Sequence, residues 1–285
     1  MYRTEFCHIA PTPHLNLTDG RPVHLVLAHL IEEDPDYINY YLEQKEKYNC
    51  TLIMDNSAFE MYKQNKPMYP PHKLIDMGER IKADYIVLSD YPGEESMQTI
   101  EAAMVLAPTI KEAGFKTFFV PQGEKGDVKD LMYAFKYAAD NPKLIDYVGV
   151  SILSAPLAYD VESGNKLQRF VSRLRLMYEL VQSPWLRTIK HNGQKVHMLG
   201  MLDGPNEIMY MEPFYKYIDT WDSSAAVWLG LNGKKFDGTP TGRRDGKFEL
   251  EVDFDFKTED NMNLKLAREN MEYIDKMVLS YLCKL

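Results

Sequence analysis

Cysteine is scarce in this chain: Cys7, Cys50 and Cys283 are the three in 285 residues, far apart and without a CxxC pair. That usage argues against a disulfide frame or a thiolate zinc cluster and leaves reduced cysteines used for packing. The histidines (8, 14, 24, 29, 72, 191 and 197) make no HxxEH or HxH pattern, so no metal site is expected. No apolar run approaches the roughly 18 residues that a membrane-spanning helix needs. The opening MYRTEFCHIAPTPHL lacks the apolar core of a secretory signal, and the expected location is the cytoplasm. Positive charge is short as well, with 33 Lys and Arg against 42 Asp and Glu and a net charge of −9. Phosphate backbones reward basic surfaces, so this total counts against nucleic acid unless the cations are gathered in one patch. Neither a GxGxxG after the first strand nor a Walker A motif is present, which weakens the case for an open nucleotide-binding sheet.

What is present is a regular alternation of strand-like and helix-like segments. Strands are expected at 23–30, 51–54, 83–90, 115–123, 144–152, 195–202, 218–221 and 226–231. Helices are expected at about 36–47, 72–82, 94–113, 128–139, 166–182, 206–217 and 261–281. In the helix 94–113, Met97, Ile100, Met104, Ala107 and Ile110 fall at helical spacing, and Gly114 closes it. No linker, low-complexity tract or repeat interrupts the series. About eight βα units imply an α/β fold with a parallel sheet, and a single-domain (β/α)8 barrel of the TIM type fits the length.

In such a barrel the chemistry sits at the C-terminal ends of the strands. The second expected strand ends at Asp55, the third at Asp90, the fourth at Gln122, and the seventh at Asp222. The fifth ends in Gly149 and Ser151, the sixth around Gly200. One Asp at a strand end is commonly a helix cap or turn former. Three of them with an amide, converging on one mouth, read as a site. Such a mouth suits double displacement at a sugar carbon, one carboxylate attacking and another moving the proton.

Here the chain resembles the tRNA-guanine transglycosylase superfamily from about Cys50 to Leu231. LIMDNSAFE is similar to the family's ILTDSGG[FY]Q segment, which implies Asp55 as the proton-transferring acid/base and Phe59 as the aromatic that stacks on the base. ADYIVLSDYP resembles the strand ending D-E-C, implying that Asp90 reads the guanine edge. FFVPQGEKGDVKDL resembles the VQGGxxxDL segment, placing Gln122 and Gly123 at the base. YVGVSI is similar to the G-G-L loop, implicating Gly149, Val150 and Ser151. HMLGMLDGPNEI resembles YLMGVGxPEDL and puts Leu199 and Gly200 at the pocket floor. YIDTWDSS resembles GVDxFDCV, which implies Asp222 as the nucleophile and Asp219 as structural.

The departures matter. The family's zinc cluster, C-x-C-x-x-C with a later His, is missing, as is the P-T-R after the nucleophile. A basic, Gly-rich stretch in 232–260 stands there instead, with Lys234, Lys235, Arg243, Arg244 and Lys247, and suits a phosphate contact. Asn56, Ala58 and Glu60 replace residues of a motif richer in Gly and ending in Gln. A short, zinc-free member resembles the bacteriophage DNA-guanine transglycosylases, which place 7-deazaguanines in DNA; a phage-encoded protein would act in the host cytoplasm. The resemblance implies exchange of guanine in DNA for a free 7-deazaguanine base such as 7-cyano-7-deazaguanine, with no cofactor. The alternatives are tRNA or water as acceptor, and a non-catalytic barrel that binds a deazapurine or a nucleic acid. Monomer, homodimer or partner subunit is left open.

Overall fold

A computed structural model describes residues 4–162, 165–201, 205–236 and 252–280. Eight parallel strands form a single sheet: β1 (Glu5–His8), β2 (Val23–Leu27), β3 (Thr51–Asp55), β4 (Tyr85–Val87), β5 (Lys116–Phe119), β6 (Tyr147–Ser151), β7 (Lys195–Leu199) and β8 (Thr220–Ser223). Their order is β1-β8-β7-β6-β5-β4-β3-β2. The two end strands, β1 and β2, lie side by side, so the sheet curls into a nearly closed (β/α)8 barrel. Most of the strand residues are buried, which is why these segments read as short, nearly continuous apolar runs rather than alternating ones.

Helices join successive strands, and several carry their own start and stop signals. Asp34 accepts from the Asp36 and Tyr37 amides to open the helix Pro35–Tyr48, and Asn49 closes it in the left-handed conformation. Asp127 opens Val128–Asp140 in the same way. In Ser96–Glu112 the expected Ile100, Ala107 and Ile110 are buried with Ala103 and Leu106 beside them, and Met97 and Met104 are exposed.

Three expectations change. The run AVWLGL is not a strand: Ala225–Leu231 is a helix packed on the last helix, Asn261–Ser280, and Gly230 meets the backbone of Ala267 so closely that a Cβ would lie 2.2 Å from its Cα. A short run buried on every side has no periodicity to separate helix from strand. The eighth strand is instead Glu5–His8, four residues that are too few to show a pattern and that pair with β8 over Glu5↔Thr220 to His8↔Ser223. The strands expected over 83–90 and 115–123 are also shorter than read. β4 leaves the ladder after Val87, and the Asn56 side chain donates to the Leu88 carbonyl at 2.6 Å.

The seam between β1 and β2 carries a side-chain clasp. Asp275 of the last helix accepts from His8 in β1 (3.0 Å) and from Arg21 just before β2 (2.7 Å). Among the described residues no helix is long and apolar enough to cross a membrane.

Candidate active site

At the C-terminal ends of the strands lies a cavity of about 510 Å³ whose lining includes Asp55, Phe59, Glu60, Asp90, Leu199 and Asp222. Register sets these positions: Asp55 ends β3 opposite Leu27 of β2, and Asp222 lies in β8 opposite Cys7 of β1.

The turn after β3 is built by its own polar residues. Asp55 Oδ2 accepts the Ser57 amide at 2.9 Å and Asn56 Oδ1 accepts the Ala58 amide at 2.8 Å. Ser57 takes a left-handed φ of 57°, uncommon for a non-glycine residue. Its Oγ accepts the His29 amide and bonds the His29 ring at 2.9 Å. The strand therefore stops on Asp55 because the Asp55 and Asn56 side chains bond back to the following amides in a tight turn that brings Phe59 and Glu60 to the cavity wall. Burial, then the neighbouring Glu60, Asp90 and Asp222 carboxylates, hold the Asp55 carboxyl well above its ordinary range. Glu60 is raised too, by burial, and its Oε2 has no hydrogen-bond partner among the described residues.

Asp90 sits in a cradle of amides. Asn56 Nδ2 donates to Oδ1 at 2.7 Å and Gln122 Nε2 donates to Oδ2 at 2.5 Å. Burial pushes the Asp90 carboxyl up to about 6 against the pull of those two donors.

Asp222 is held from one side. Oδ1 accepts from His197 Nε2 at 2.8 Å and from the Gly200 amide at 3.0 Å. Gly200 has a φ of 69°, a region open to glycine at no steric cost, and its carbonyl accepts from Trp221 Nε1 (2.8 Å) and from Arg173 Nη2 (2.8 Å). Arg173 also donates to the Leu199 carbonyl at 2.6 Å and pairs with Glu207 at 2.8 Å, both side chains fully buried. An ion pair beneath the β7 loop thus sets the direction of the Gly200 N–H.

The residues singled out from sequence divide into three groups. Asp55, Phe59, Asp90, Ser151, Leu199, Gly200 and Asp222 line the cavity. Gln122, Gly123, Gly149 and Val150 stand behind this lining. Gln122 is fully buried against Asp90, and its Oε1 has no partner among the described residues. Gly123 abuts Leu131, and Gly149 lies against Leu199 and Phe118. Val150 is buried on the opposite strand face from Ser151. In the third group, Lys235 pairs with Glu269 at 2.6 Å while keeping an exposed side chain, and Lys234 lies beside it; Arg243, Arg244 and Lys247 lie outside the described residues. Asp219 is bound to Lys190 and to the Val196 amide, away from this lining.

Sequence reasoning missed His197, Asn56, Glu60 and Arg173 as members of the site. His197 had a signal: a polar residue two positions before Leu199 in an apolar strand shares the inward face of Leu199. Arg173 had none, since an Arg in an amphipathic helix reads as solvent-facing. Among the described residues, no three His, Cys, Asp or Glu side chains are grouped as metal ligands would be. Compared with models of known protein families and with curated proteins, the chain matches none.

Proposed function

We propose that this chain is a base-exchange transglycosylase that replaces guanine in a nucleic acid by a 7-deazaguanine through a covalent Asp222–sugar ester. What carries the reading is the division of labour between two carboxylates of one cavity. Asp222 has one oxygen held by His197 and Gly200, and Asp55 is pushed toward its protonated form by burial and by its acidic neighbours. A carboxyl held toward its protonated form suits the acid/base role, and a carboxylate with one oxygen held and the other free suits the nucleophile.

In the first half-reaction the free oxygen of Asp222 attacks the anomeric carbon, the glycosidic bond breaks, and its electron pair passes to the base. Asp55 donates a proton to the departing guanine. In the second, the incoming base loses its proton to Asp55 and attacks the same carbon, releasing Asp222. Asp90 accepts hydrogen bonds from the N–H groups of the base, and Phe59 covers the ring face, a contact worth about 1–3 kcal/mol. The target nucleotide must be flipped out of its stack, at a few kcal/mol. DNA is favoured over tRNA because the resemblance is to the short members that act on DNA, with 7-cyano-7-deazaguanine as the favoured base.

The test is uptake of labelled guanine or 7-cyano-7-deazaguanine into duplex DNA, single-stranded DNA or unmodified tRNA. Label should enter DNA, and an SDS-resistant protein–polymer adduct should form with the wild type and vanish in Asp222→Asn. Label entering none of the three, or exchange persisting in Asp222→Ala, overturns the reading.

A further inference from the structure

We infer that His197 is a positioning residue that selects which oxygen of Asp222 attacks, and that a buried hydroxyl relay fixes the ring in the form able to do so. The inference rests on the role proposed above for Asp222; the state of the ring does not.

The observations are a chain of four side chains inside the barrel: Tyr147 OH meets Thr220 Oγ1 at 2.5 Å, Thr220 Oγ1 meets His197 Nδ1 at 2.5 Å, and His197 Nε2 meets Asp222 Oδ1 at 2.8 Å. Tyr147 and His197 are almost wholly buried and Thr220 is 5% exposed. Phe118 packs edge-on against His197 and stacks on Tyr147, walling the chain with aromatic rings.

Counting hydrogens orders the relay. The phenol of Tyr147 has one acceptor within reach among the described residues, Thr220 Oγ1, and a buried hydroxyl that donates to nothing is costly. With that bond made, the hydrogen of Thr220 points to His197 Nδ1, which must then offer a lone pair. The ring's own hydrogen is left on Nε2, aimed at Asp222 Oδ1. An imidazolium, or the opposite tautomer, would put a second donor on Thr220 Oγ1 and leave the threonine's own buried hydrogen with no acceptor along the chain. The relay therefore holds His197 as the neutral Nε2–H tautomer.

The consequence falls on Asp222. Oδ1 already accepts two N–H groups, from His197 and Gly200, and among the described residues Oδ2 accepts none. Charge is drawn to the bonded oxygen and the other keeps its lone pairs for the sugar. Since the ring never yields its proton, it orients the carboxylate and leaves acid/base work to Asp55.

Two measurements test this. Two-bond proton–nitrogen correlation spectra of histidine-labelled protein read the tautomer directly: wild type should show His197 as Nε2–H, and Thr220→Val, nearly isosteric, should lose that assignment. Single-turnover adduct formation with a DNA oligonucleotide should slow about 10- to 100-fold in Thr220→Val and in His197→Leu, with free-guanine affinity held within about twofold. His197→Gln, which can present an N–H to Oδ1, should recover part of the rate. Tyr147→Phe serves as a gentler relay variant should Thr220→Val fold poorly. A wild-type ring found as imidazolium or as Nδ1–H, or relay variants that keep both tautomer and rate, overturns the inference. If no exchange occurs in wild type, the proposed function fails, and the spectra still decide the state of the ring.

Discussion

Replacing Asp90 by Asn should stabilise the protein while abolishing its use of the base. The buried carboxyl is held up at about 6 against an ordinary 3.8. That separation of about two pH units, at about 1.4 kcal/mol each, amounts to about 3 kcal/mol. Between those values the folded chain keeps a proton that the unfolded chain has lost, so stability falls as pH rises through the window and the full cost stands above pH 6. An Asn does not ionise and escapes that cost. It is also accommodated: its new N–H₂ would confront Gln122 Nε2, but turning the Gln122 amide over presents Oε1, which has no partner among the described residues. Urea titrations of both proteins at about pH 4 and about pH 7.5 measure the effect. The stability of Asp90→Asn relative to wild type should rise by about 2–3 kcal/mol between the two, while free-guanine affinity and exchange collapse. A gain in stability at the expense of binding marks a residue kept for its site. A relative stability that is the same at both pH values, or that falls as pH rises, would refute the reasoning.

Arg173→Met breaks the buried ion pair with Glu207 and takes one donor from each of the Leu199 and Gly200 carbonyls, and should cost about 3–5 kcal/mol of unfolding free energy in the same titration. Phe59→Ala should weaken free-base affinity by about 1–3 kcal/mol, read by calorimetry, with the melting temperature little changed, because Phe59 lies at the cavity wall. Arg243 and Arg244 changed together to Ala should flatten the salt dependence of polymer binding, by about 0.9 log unit per log unit of salt for each duplex phosphate no longer neutralised, and leave free-base binding intact. Polymer binding unchanged at every salt concentration would remove that stretch from the nucleic-acid surface.

The barrel and its three aspartates were legible because both rest on strong local signals. Apolar runs that stop on Asp at 55, 90 and 222 mark strand ends, and a strand end in a parallel barrel is a place of known use. What was not legible depends on groups brought together from far along the chain. Asn56 reads as a turn residue, and that it also grips Leu88 and Asp90 emerges only once β3 and β4 are neighbours. His197 needs Thr220, and Thr220 needs Tyr147, 73 positions earlier in the chain. Glu5–His8 could not be recognised as a strand on its own, since its pairing partner lies more than two hundred residues downstream.

That last pairing has a consequence for how the chain assembles. Strands β2 to β8 add in sequence order, each beside the one before it, so the sheet can grow as synthesis proceeds. β1 is the exception: the earliest strand to be made, it has its backbone ladder with the last. It must wait, apolar and unpaired, until β8 appears, and the loop closed by that encounter is nearly the longest the chain can offer. The clasp that then spans the seam is supplied by Asp275, later still. Closure of the β1–β2 seam is thereby tied to the final helix: a ribosome-bound chain stalled before Asn261 would already hold β8, and with it the partner of β1, but would lack the clasp across the seam and the helix that covers Ala225–Leu231.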